Sequence, residues 1–194
     1  MTITTEHHHL SIAHLFWREF LAPGATVIDA TCGNGRDSLV LAELLEAVGG
    51  GDLHLFDIQQ AAIDASRHRL SSGCKASNVA LSFYCECHSG LERHFAPSSA
   101  QLIVYNLGYL PGGDKSVTTR ADRTLDSLNA ACQVLALEGI ISIMVYPGHL
   151  EGQREDAAIQ EWIAGLDPQL WVVSNHRFLL RNRPPHLYVI SRRG

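Results

Sequence analysis

The chain has 194 residues, 46% of them hydrophobic and 18% charged, with a net charge of −5. This suits one α/β domain over residues 1–194 with a sizeable core. It argues against a general nucleic-acid coat, which needs clustered Lys and Arg. No apolar run nears the roughly 20 residues of a membrane span, and the N-terminus lacks a basic-then-apolar signal pattern, so a cytoplasmic protein is expected. The five cysteines, Cys32, Cys74, Cys85, Cys87 and Cys132, mostly lie in apolar stretches and read as reduced, buried thiols. Charge is unevenly spread: Arg177, Arg181, Arg183, Arg192 and Arg193 close the chain without an acid, a basic patch compatible with RNA.

Taken in chain order, the pattern predicts a helix over 9–21, a strand over 26–30, a helix over 37–47, a strand over 53–56 and a helix over 59–71. A strand over 79–85, a helix over 89–95, a strand over 102–106, a helix over 118–137 and a strand over 140–145 follow. The chain ends with a helix over 151–166 and strands over 170–179 and 187–191. Alternating strands and helices imply a mostly parallel, seven-stranded sheet with helices on both faces. Residues 181–186 are too few for a crossover helix, so the last two strands should pair antiparallel. A doubly wound, Rossmann-like sheet ending in such a hairpin is the class I methyltransferase fold rather than that of a nicotinamide dehydrogenase.

The first strand runs through Val27-Ile28-Asp29-Ala30 into Thr31-Cys32-Gly33-Asn34-Gly35 and then a helix. Strand, glycine turn and helix open a ligand crevice at the carboxyl end of a parallel sheet. Gly33 and Gly35 allow a sharp turn and a close backbone approach. A pyrophosphate on the helix N-terminus has no use for a carboxylate at the strand tip. S-adenosylmethionine presents an ammonium and a sulfonium, so Asp29 is expected to lie near its methionine end or reach it through water. The second strand ends in Asp57, about 20 residues beyond the turn, where an acid accepts from ribose hydroxyls. Against this, Asp37 would only cap its helix and Asp57 only start the next. Glu86 and His88 follow the third strand, where adenine-facing residues or plain strand-end contacts fit equally.

The fourth strand leads into Asn106-Leu107-Gly108-Tyr109-Leu110-Pro111-Gly112-Gly113-Asp114-Lys115 beside the switch point. Methyl transfer is an in-line displacement, so the protein must chiefly orient a neutral nucleophile. The Asn106 side-chain oxygen and the Leu107 carbonyl are suited to accept hydrogen bonds from an exocyclic amine, and Tyr109 to stack on a base. The tetrad resembles the Asn-Pro-Pro-Tyr motif of amino-group methyltransferases, with Leu107 and Gly108 in place of the prolines; the other reading is an ordinary turn. Lys115 would pair with Asp114 or a substrate phosphate. His149, in Tyr146-Pro147-Gly148-His149, would bind substrate, take a proton or simply sit in a loop. His7, His8 and His9 lack ligand spacing, so they read as solvated and no metal is expected.

Asp29-Ala30-Thr31-Cys32-Gly33-Asn34-Gly35-Arg36-Asp37, Phe56-Asp57-Ile58-Gln59, the decapeptide from Asn106 and Tyr146-Pro147-Gly148-His149 together resemble the YtqB/MnmM family, once described as rRNA methylases. Glu86 stands where that family would have Asp. The resemblance implies methylation of the primary amine of 5-aminomethyl-2-thiouridine at the tRNA wobble position, with S-adenosylmethionine as donor, by a homodimer. The candidate catalytic residues are then Asn106 and Tyr109. Cofactor contacts are expected from Asp29, Thr31, Gly33, Asn34, Gly35, Asp37, Asp57, Ile58, Gln59, Glu86, His88 and Asn106, and substrate contacts from Tyr109, Asp114, Lys115, His149, Arg181 and Arg183.

Overall fold

A computed structural model describes residues 8–73, 77–114 and 117–193. The strands are β1 (Ala25–Asp29), β2 (Gly51–Phe56), β3 (Val79–Tyr84), β4 (Ala100–Asn106), β5 (Leu135–Val145), β6 (Trp171–Arg177) and β7 (His186–Arg192). They form one seven-stranded sheet in the order β3-β2-β1-β4-β5-β7-β6. The first five strands pair in parallel, and β7 runs antiparallel to both β5 and β6. The expected class I methyltransferase topology and its C-terminal hairpin are both present.

Period-two alternation sends successive strand residues into two separate cores. Val27, Leu102 and Val104 meet Trp17, Leu41, Leu45 and Ile63 from α1 (His8–Phe20), α2 (Arg36–Val48) and α3 (Gln60–Gly73). Ile28, Ile103 and Tyr105 meet Leu128, Ala131 and Ile159 from α4 (Ala121–Val134) and α5 (Leu150–Ala164), with Leu91 of a 3₁₀ turn at His88–Arg93. Trp17 is buried, and its indole donates to Ser142 Oγ of β5 at 2.9 Å, so its one polar atom is satisfied. That bond fastens α1 across the sheet near the end that carries the site.

Most boundaries shift by a residue or two, and four elements differ from expectation in ways with a physical cause. The helix predicted over 118–137 stops at Val134, and Leu135 already pairs with Ala100 in the sheet. The register then shifts between Ala100 and Leu102 where Glu138 takes a φ of 62°, a bulge that local apolar periodicity cannot reveal. The helix predicted over 89–95 is a 3₁₀ turn broken at Gly90 (φ −116°, ψ 26°). The third strand ends at Tyr84 rather than at 85. The sixth ends at Arg177, leaving Leu179 and Leu180 exposed in the hairpin loop. The expectation of buried thiols holds for Cys32 alone: Cys85 is exposed, Cys87 and Cys132 are half-buried, and Cys74 lies outside the described residues. Among the described residues no helix is long and apolar enough to cross a membrane.

Candidate functional site

Beyond β1 the chain turns to β2 on one side, and it later returns through β4 on the other, so the tips of β1 and β4 flank a crevice. Two bonds fix these tips together: Ala30 N–H donates to Val104 O at 2.9 Å, and Asn106 N–H to Thr31 Oγ1 at 2.7 Å. The turn between β1 and α2 is closed by Gly35 N–H on Cys32 O at 2.8 Å. Gly35 has a φ of +71°, and a Cβ there would stand 2.7 Å from Ser66 Cα of α3. Its need for glycine therefore comes from packing against α3 as well as from the turn. Gly35→Ala should lower stability by about 2 kcal/mol, from left-handed strain plus the clash. In a chain of this size that is a fall in melting temperature of roughly 4–8 °C. Unchanged melting in a thermal scan would show that the contact with Ser66 does not constrain the turn.

A cavity of about 820 Å³ fills the crevice. Of the expected cofactor residues, Thr31, Gly33, Asn34 and Asp37 line it, with Asp57, Ile58 and Gln59 from the tip of β2. His88 and Asn106 complete that wall, and the expected substrate residues Tyr109, His149 and Arg183 line the same space. Asp29, Gly35, Glu86, Asp114 and Arg181 do not reach it. Lys115 and His7 lie outside the described residues. Glu86 instead faces His94, with Oε2 at 3.1 Å from the imidazole Nε2. His9, expected in solvent, stands edge-on to the Tyr146 ring at 5.7 Å and lines the cavity.

The carboxylates beneath and around this space have distinct tasks. Asp29 is buried below the wall, where it accepts from Ser38 Oγ (2.6 Å) and Thr31 N–H (3.3 Å). Burial pushes its carboxyl up to about 7, opposed chiefly by the Ser38 hydroxyl. Asp57 accepts from Gly33 N–H (3.1 Å) on one oxygen and Gln59 N–H (2.9 Å) on the other, and burial raises its pKa above the usual carboxylate value. Each of its oxygens keeps a lone pair for a further donor. Asp37 does not cap α2, whose N-cap is Gly35 without a side-chain bond. It accepts from Asn106 Nδ2 at 2.6 Å and from His14 Nε2 of α1 at 3.0 Å.

A carboxylate only accepts, so this contact decides which way the Asn106 amide points: nitrogen to Asp37, oxygen away. Asn106 Oδ1 is then buried with no partner, as are His88 Nδ1 and Thr118 Oγ1. All three residues line the one cavity. Buried polar atoms are nearly always paired, and three orphans around one space mark where a polar ligand binds. Burial lowers the His88 imidazole to about 4, so it meets such a ligand neutral.

The segment after β4 folds over the crevice. Gly108 O accepts from Thr119 N–H (2.9 Å), Gly108 N–H donates to Thr119 Oγ1 (2.8 Å), and Asn34 Nδ2 donates to Pro111 O (3.0 Å). Thr119 Oγ1 in turn donates to Glu155 Oε2 of α5 at 2.8 Å, and Thr124 Oγ1 donates to Oε1 at 2.6 Å. Glu155 is 2% exposed, and burial raises its pKa against those two hydroxyl bonds. His149 caps α5: its Nδ1 accepts from Gly152 N–H at 3.1 Å. A neutral imidazole accepting at Nδ1 carries its hydrogen on Nε2, so taking a further proton would cost the cap. His149 is thus fitted to donate to a ligand rather than to act as a base. Its ring lies 5.8 Å from that of Tyr109.

Sequence reasoning singled out none of His14, Thr119, Glu155, Arg36, Arg120 and Arg123. Glu155 alone carried a usable sign, a carboxyl on the same helical stripe as buried Gly152 and Ile159. The arginines look like any solvated charge until the fold puts them on one cavity wall.

The model of a family described as "Putative rRNA methylase" matches residues 53–192. The chain is 36% identical over 189 residues to the tRNA (mnm(5)s(2)U34)-methyltransferase, chloroplastic, of Arabidopsis thaliana, covering 94% of this chain and 68% of that protein. A crystal structure of a "putative rRNA-methylase" from Clostridium thermocellum matches with a TM-score of 0.87 and 33% identity, over 99% of this chain and 100% of that one. A "putative methyltransferase" from Streptococcus mutans, solved in complex with SAH, matches with a TM-score of 0.82 and 28% identity, over 97% and 99% respectively.

Proposed function

This chain belongs to the family described as "Putative rRNA methylase" and is an S-adenosylmethionine-dependent methyltransferase, and we propose that it acts on tRNA, methylating the primary amine of 5-aminomethyl-2-thiouridine at the wobble position. The observation that carries this reading is the Asn106 amide, turned by Asp37 so that its oxygen is left buried and unpaired on a residue that lines the crevice at the tip of β4. Such an oxygen suits an amine nucleophile, which donates a hydrogen bond while keeping its lone pair for attack. The relative from Arabidopsis thaliana, named for the methylated form of this nucleoside, supports it.

The residues present fit S-adenosylmethionine. Asp57 retains lone pairs for ribose hydroxyls, His88 offers a neutral, unpaired ring nitrogen on the adenine side, and the Asp37 carboxylate lines the end of the cavity that would take the cationic methionine group. When bound, this cofactor supplies a methyl group on a positively charged sulfur. The protein's part is to hold and orient. An aminomethyl group is protonated at neutral pH, and removal from water next to a positive charge favours its neutral form, the proton leaving to solvent. Asn106 Oδ1 would accept a hydrogen bond from the amine and so align its lone pair with the methyl carbon that the cofactor would supply. Tyr109 and the donor Nε2 of His149 flank the base. The same reading includes a homodimer.

The test is transfer of labelled methyl to tRNA lacking this last modification. Nuclease digestion of the product should yield label in 5-methylaminomethyl-2-thiouridine. Label appearing in rRNA instead, or in no RNA, would overturn the assignment.

A further inference from the structure

The walls of the cavity are divided by charge. Its carboxylates, Asp37 in the first turn of α2 and Asp57 at the tip of β2, already hold hydrogen bonds within the chain. Arg36, Arg120, Arg123 and Arg183 line the same space, yet all four are exposed residues. They come from three separate places: the start of α2, the approach to and first turn of α4, and the loop between β6 and β7. Arg36, Arg123 and Arg183 make no ion pair among the described residues, and Arg120 has only a solvent-exposed contact of 3.5 Å with Asp122. In a chain of net charge −5, four guanidiniums gathered at one opening with a single exposed carboxylate contact among them are arranged for an external anion. The guanidinium fork matches phosphate oxygens, and the partly exposed Tyr109 ring offers a stacking surface beside them.

We propose that Arg36, Arg120, Arg123 and Arg183 grip the phosphates on either side of the methylated nucleotide, so that the cavity takes its target as part of an RNA strand rather than as a free nucleoside. This rests on the RNA-methyltransferase reading above. It joins Arg183, one of the C-terminal arginines that the sequence singled out, to Arg36, Arg120 and Arg123 on the α2 and α4 side.

The experiment compares wild type with the double variant Arg120→Gln/Arg123→Gln, both exposed positions outside the two cores. Retention of hypomodified tRNA on a filter is measured over a range of salt, together with SAH affinity by calorimetry and the rate of methylation of tRNA and of free 5-aminomethyl-2-thiouridine. With two contacts to single-stranded phosphate removed, the plot of log affinity for tRNA against log salt should become less steep by roughly 1.4. SAH affinity should stay within about twofold, and wild type should strongly prefer tRNA to the nucleoside. An unchanged salt slope, or a free nucleoside methylated as efficiently as tRNA, would overturn the clamp. Filter retention needs no turnover. If wild type methylates no RNA while the slopes still differ, the reaction assignment fails and the clamp stands.

Discussion

Asn106→Ala should leave SAH affinity within a few-fold of wild type while lowering kcat on tRNA by on the order of 100-fold or more, the usual cost of losing one well-placed polar contact at the reacting centre. The split between the two readouts follows from how the side chain is held. Asn106 is tied into the site by its backbone, through Thr31 Oγ1, and by its amide nitrogen, through Asp37. Neither bond uses Oδ1, the atom that stands buried and unpaired. Truncation to alanine removes that acceptor but keeps the strand-to-turn bond and leaves Asp37 its contact with His14. The cofactor walls built on Gly33, Asp57 and His88 are untouched. Single-turnover kinetics with saturating cofactor, set beside an SAH titration, separate the two effects. Parallel losses in both would mean that Asn106 shapes the cofactor pocket and does not orient the amine.

The way this site was hidden or visible in the sequence has a physical cause. Strand, glycine turn, helix and an acid ending the next strand are local patterns, so the tips of β1, β2 and β4 could be placed without any tertiary contact. The hairpin was legible for the same reason, since the length of 181–186 alone rules out a crossover. Asp29 shows where local reading stops. It shares a strand face with Val27, so alternation turns its carboxyl toward α2, where Ser38 receives it, rather than upward into the cavity. Glu86 likewise depends on a partner, His94, that only the 3₁₀ turn delivers. The bonds from Asp37 to His14 and from Glu155 to Thr119 join residues 23 and 36 positions apart, and no periodicity encodes them.

The Glu155–Thr119 bond carries the second large expectation. Gly108 has a φ of +135° and follows the Asn106-Leu107 tip directly, and both of its backbone polar groups are held by Thr119. Thr119 is in turn held by a buried carboxylate that Thr124 also bonds. Glu155 thus acts at a distance, as a positioning residue that sets where the chain leaves β4. Thr119→Val keeps the shape of the side chain but removes the hydroxyl, leaving Gly108 N–H and one Glu155 oxygen short of a partner. Misplacement of a reacting group by about 1 Å costs on the order of 100-fold, so kcat on tRNA should fall by roughly 10- to 100-fold. Stability should fall by about 1–3 kcal/mol for the polar groups left unpaired. SAH affinity should change little, because Thr119 touches neither the Gly33 turn nor Asp57 among the bonds described. Thr119→Ser retains the hydroxyl and should recover most of the rate. Steady-state kinetics of the two variants decide the matter: equal impairment of Ser and Val would show that the hydroxyl does not by itself set the rate, and a Val variant as fast as wild type would remove Glu155 from the positioning of Asn106.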